Sequence, residues 1–103
     1  VQQMNVINQS SIKTDIMFEV LDESHFKVQG WLVDLVLIEY WSRHQGGDKV
    51  HQIRSNLSVL RVFTQTMMMT EADSASVEQT QRVVKALRKL AYYGYHIPSQ
   101  IIN

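Results

Sequence analysis

The chain has 103 residues, 45% of them apolar, and its ten basic side chains balance ten acidic ones. That size suits one domain with one core, and the apolar content excludes a disordered chain. The absence of cysteine excludes a disulfide framework and a thiolate zinc site, and four glycines with one proline are few for a turn-rich β architecture.

The first ten residues are polar and weakly patterned, and are expected to form a flexible lead-in to a single helical domain spanning residues 1–103. Ser10 or Ser11 is placed to cap a first helix, with Asp15 near its first turn. Ile12, Ile16 and Val20 then recur at i, i+4 and i+8, with Met17 and Leu21 beside them, which is helical spacing. Leu21-Asp22-Glu23-Ser24 would close that helix.

A second helix is expected from about His25 to His44. Phe26, Val28, Trp31, Leu32, Val33, Leu35, Val36, Leu37, Ile38, Tyr40 and Trp41 surround nearly its whole axis, which suits a helix at the centre of a bundle or in an oligomer interface. A buried strand through Trp31–Ile38 is the other reading of this run. Gln45-Gly46-Gly47-Asp48 breaks the chain, with the glycines as C-cap and turn and Asp48 as the next cap. A third helix follows from Lys49 to about Met68, with Val50, Ile53, Leu57, Leu60, Thr64 and Met67 inward.

Thr70–Ser76 reads as a polar linker. The fourth helix spans about Val77 to Tyr93, with Val83, Val84, Leu87, Leu90 and Ala91 inward and Glu78 placed to pair with Arg82. Gly94 ends it, and Ile97, Ile101 and Ile102 would cover the bundle end in a short last turn. The fold class expected is therefore all-α: a compact bundle of four main helices with a short C-terminal helical turn.

No stretch has the pattern of a secretory signal, and the apolar run from Val28 to Trp41 is interrupted by Gln29, Asp34 and Glu39 and is too short to span a bilayer. An intracellular setting is expected, cytoplasmic or, in a eukaryote, nuclear. The start at Val1 is the pattern of a processed product or of a piece of a longer chain.

No set of residues has the spacing of a catalytic site. His25, His44, His51 and His96 never fall three or four apart, so no helical face presents two imidazoles. His44, Asp48 and His51 flank the glycine turn but lack zinc-ligand spacing. Asp34 and Glu39 sit in an apolar run, where dry carboxylates could act as acid or base. Five positions apart, they do not share a face, and pairing with Arg43, Arg54 or Arg61 is the simpler expectation. No catalytic residue, cofactor, metal ligand or small-molecule substrate is assigned.

Charge is unevenly distributed. Residues 1–48 carry three cations against seven acids and residues 49–103 seven cations against three acids, a split of −4 and +4. The halves are expected to complement each other within the fold or across a dimer. Arg54 and Arg61 on the third helix, with Arg82, Lys85 and Lys89 on the fourth, form a basic face followed by Tyr92, Tyr93, Tyr95 and His96, a pattern that can hold phosphates and stack bases. Val59, Val62 and the run Met67-Met68-Met69 fall partly off the inward stripe, which places apolar surface at an interface. The function expected is a non-enzymatic protein–protein interaction or regulatory module that forms a homodimer, with DNA binding through the basic face as the alternative.

The run Ile53–Phe63, preceded by a helix and a glycine turn, resembles the helix pair in the core-binding domain of tyrosine recombinases. Leu87-Arg88-Lys89-Leu90 through Ile101 is similar to a turn in the helical N-terminal domains of transcription elongation factors. Both resemblances imply nucleic-acid processes, and neither assigns a role to a residue of this chain.

Overall fold

Alternation, not helical periodicity, governs residues 15–34. The structure, a computed structural model, describes residues 15–102. It opens with a three-stranded antiparallel sheet: β1 (Phe18–Asp22), β2 (His25–Val28) and β3 (Trp31–Asp34), in that order. Phe18 lies opposite Val28 and Val28 opposite Trp31, while Val20 lies opposite Phe26 and Phe26 opposite Val33. These six form the inner face, and Glu19, Lys27 and Leu32 line up across the outer one.

The expected all-α fold is thus corrected to α+β: within the described residues the first expected helix and the part of the second up to Asp34 are replaced by this meander, and the rest of the second is helical as expected. The cause is an ambiguity of spacing. Residues four apart share a face of a helix, but four is also twice the strand period of two. Ile16, Phe18 and Val20 turn inward together while Met17, Glu19 and Leu21 point out. Gln29 and Gly30, both with positive φ (50° and 79°), supply the two-residue turn between β2 and β3 that a hairpin needs. Gln29 also brackets β1: its N–H donates to the Met17 carbonyl (2.9 Å) and its Oε1 accepts from the Met17 N–H (3.0 Å). The expected lead-in over residues 1–10 and the caps at Ser10 or Ser11 lie outside the described residues.

The apolar run after Gly30 changes structure in mid-course. Asp34 ends β3 and caps α1 (Leu35–Ser42), its Oδ1 accepting from Val36 N (3.0 Å) and Leu37 N (3.1 Å). Leu35, Ile38 and Ser42 turn inward, whereas Val36, Leu37 and Tyr40 remain exposed. The run is apolar all round because it serves a strand and then a helix with an open face, not because it forms one buried rod.

Two long helices follow where the sequence placed them. α2 (Lys49–Thr70) ends at Glu71 in the left-handed region, and α3 (Val77–Tyr92) starts from a capping box between Ser76 and Gln79. α2 is the central element, packed against α1, α3 and β1. Its Phe63 meets Phe18 and Phe26 of the sheet, with ring centroids 5.2 and 5.4 Å away. Ile53, Leu57, Leu60 and Met67 extend the core along α2, facing Val83, Val84, Leu87 and Leu90 of α3. A 3₁₀ turn, Ser99–Ile101, with buried Ile97 and Ile102, closes the far end, where Arg88 Nε donates to the Ile102 carbonyl (2.7 Å).

Candidate interaction surface between α2 and α3

A long helix packed on two sides leaves a third side to solvent, and on α2 that side, mostly polar, also carries exposed apolar residues. Val62 is 60% exposed and Met69 84%. With Thr66 between them they recur at i, i+4 and i+7 along one side of the helix. Beside this row, where α2 and α3 diverge, lies a groove of about 440 Å³. Val59, Val62 and Phe63 of α2 and Val83 of α3 give it apolar walls, and Ser58, Thr66, Gln79 and Arg82 give it a polar rim. A mostly apolar cleft with a few convergent polar groups is the usual form of a site that receives a side chain or helix.

The residues expected to bind a partner are divided between two places. Val59 and Val62 line this groove. Met67 is buried in the core and, with Met68, borders a second, smaller depression of about 280 Å³ lined by Phe18, Glu19, Val20, Ala72 and Asp73. Met69 stands exposed on the same side of α2 as Val62. The groove's α3 wall was not expected from the sequence; Val59 and Val62 lying off the inward stripe is the signal that pointed to it.

The expected basic face is likewise divided. Arg61 pairs with Glu39 of α1, which also receives Arg43 (3.0 Å). The hydrogen bond from Arg43, with the charge of Arg61, holds the Glu39 carboxyl below the usual carboxylate range. Arg82 pairs with Glu78 at 3.0 Å, both side chains exposed. Arg54, Lys85 and Lys89 are exposed. Lys85, Lys89 and Tyr92 fall at i, i+4 and i+7 and continue the groove's α3 rim from Arg82, ending in a tyrosine that is 81% exposed. No acidic residue occurs from Gln79 to Ile102, a stretch that carries Arg82, Lys85, Arg88 and Lys89.

The two carboxylates considered for acid–base chemistry have structural partners: Asp34 caps α1 and lies 3.4 Å from His25 Nε2, and Glu39 ties α1 to α2. His25 Nδ1 lies 2.8 Å from Asp22 Oδ1, and that hydrogen bond raises the imidazole pKa while it lowers that of Asp22. Burial, and secondarily the charge of Asp34, raises the Tyr95 phenol. Among the described residues no three His, Asp or Glu side chains are grouped to hold a metal ion, His44, Asp48 and His51 included, and no helix is long and apolar enough to cross a membrane. Comparison of the chain with protein-family models, curated proteins and solved structures finds no match.

Proposed function

We propose that the protein is a non-enzymatic protein–protein interaction and regulatory module, working inside the cell and associating with a second copy of itself through the groove between α2 and α3. The observation that carries this reading is the groove itself, an apolar cleft flanked by an exposed Val62 and rimmed by Arg82. Isolated exposed apolar residues are ordinary, but an apolar groove continuous with an exposed ridge is the mark of a docking surface. Sedimentation velocity over a concentration series tests it. The wild-type protein should show a reversible monomer–dimer equilibrium, and Val62→Asp, which puts a charge on the groove wall, should weaken the dimer at least tenfold. A wild-type chain that stays monomeric at millimolar concentration overturns the reading.

A second reading, nucleic-acid binding, is favoured by one further observation. Tyr92 projects into solvent directly after Lys85 and Lys89, an arrangement that can pair phosphates with cations and stack a base on the ring. It draws on Arg54, Lys85 and Lys89; Arg61 and Arg82 are engaged by Glu39 and Glu78.

A further inference from the structure

The sheet carries a counterpart to the groove's basic rim. Residues 15–26 contain Asp15, Glu19, Asp22 and Glu23 and no lysine or arginine. On the outer face of β1 and its lead-in, Met17 is 72% exposed and Leu21 48% exposed, with Glu19 between them. The strand lies at the edge of the sheet, and Gln29 holds the Met17 backbone in place. This surface reads apolar, acidic, apolar. The α3 side carries the opposite charge: Arg82 stands on the rim of the apolar groove, and Lys85 and Lys89 follow it at helical spacing in a segment free of acids.

Within the described residues few of these charges are paired, although Glu19 has Lys27 as its cross-strand neighbour on the outer face. Glu39–Arg61 joins the acidic half of the chain to the basic half. Glu19, Glu23, Lys85 and Lys89 form no ion pair among the described residues. Two surfaces of opposite charge, each with exposed apolar residues beside the charges, are self-complementary between copies when one chain carries both.

We infer that the occupant of the groove is β1 of a second copy, with Met17 and Leu21 entering between α2 and α3 and Glu19 and Glu23 meeting Lys85 and Lys89. The inference rests on the groove reading above and names its partner. Reciprocal contact about a two-fold axis uses both surfaces of both chains and closes the assembly at a dimer, whereas one-way contact would build a ring or a filament. Met68 and Met69, at the end of α2 between the groove and the strand, lie within the covered surface.

Charge exchange tests the pairing. In one variant Glu19→Lys is combined with Glu23→Lys, and in the other Lys85→Glu with Lys89→Glu. All four side chains are exposed, and circular dichroism checks that each variant folds. Alone, each variant sets like charges against each other at both contacts, and its dimer should weaken on the order of a hundredfold. Mixed in equal amounts, the two restore opposite charges at both contacts, and sedimentation should show a heterodimer near wild-type affinity. A mixture that stays monomeric, or variants that dimerise unchanged, overturns the pairing. If Val62→Asp still dissociates the wild-type dimer in that case, the groove reading stands and only its occupant is wrong. If Val62→Asp has no effect, the groove reading itself fails.

Discussion

The Thr64 hydroxyl, fully buried on α2, donates to the main-chain carbonyl of Glu23 at 2.8 Å, across 41 positions of sequence. It fastens the β1–β2 turn to the central helix, while Phe63 one residue earlier fastens the inner face of the sheet. Thr64→Val keeps the shape and removes the donor, leaving a partly buried carbonyl without that partner. The expected loss is about 1–3 kcal/mol in urea unfolding, and Thr64→Ser, which keeps the hydroxyl, should recover most of it. A loss in Thr64→Ser with none in Thr64→Val would show that the methyl group, not the hydrogen bond, holds the turn.

Phe63 serves both the core and the groove, since its ring touches Phe18 and Phe26 and also lines the cleft. Phe63→Ala should cost about 3–5 kcal/mol, a large share of the roughly 5–15 kcal/mol that holds a domain of this size. The cavity it leaves joins the groove to the sheet. Dimerisation should therefore weaken in Phe63→Ala under conditions where the variant is still folded. Thermal unfolding gives the first quantity and sedimentation the second.

How far the sequence could be read divides at Asp34. The two long helices after it, α2 and α3, were read nearly to their ends, and Gly47, Ser76 and Gly94 mark those ends in the chain as they do in space. Before Asp34 the segments are short. Spacing by four fits both periods there, and the scarcity of glycine and proline argued against turns that Glu23-Ser24 and Gln29-Gly30 nonetheless make. The informative signs were Phe26-Lys27-Val28, which alternates, and Gly30, which sits where a two-residue hairpin needs positive φ. The candidate site was legible on α2, where Val59 and Val62 break the stripe. It was not legible on β1: Met17 and Leu21 become an exposed pair only once the segment is a strand.

His25 lies between Asp22, at the end of β1, and Asp34, the cap of α1, and links the hairpin to the first helix. The folded state raises its pKa, first through the hydrogen bond to Asp22. The protonated imidazole is therefore favoured by folding. Its contribution is complete below the unfolded value of about 6.5 and is lost as pH rises through the higher folded value. Asp22, held low by the same bond, contributes above its unfolded value, and that part is lost as pH falls through the lowered one. Melting temperature should thus fall, as pH rises from about 6.5 through the raised His25 value, more steeply in the wild type than in Asp22→Asn. Identical pH dependence in the two proteins would show that the pair contributes nothing to stability.

Self-association and nucleic-acid binding draw on the same two lysines, so they should compete. If Lys85 and Lys89 meet phosphates, a labelled single-stranded oligonucleotide should bind with an affinity that falls as salt rises. Replacing both lysines by alanine should lower the salt slope by about 1.4, at about 0.7 per phosphate on a single strand. If a base stacks on Tyr92, Tyr92→Ala should cost about 1–3 kcal/mol with the slope unchanged. Because β1 of the second copy is assigned to those lysines, saturating oligonucleotide should then shift the dimer to monomer, and Val62→Asp should bind oligonucleotide at least as tightly as the wild type. Binding that leaves the dimer intact would place the nucleic acid elsewhere, with Arg54 the next cation to substitute. No binding in low salt would leave the lysines to the protein partner alone.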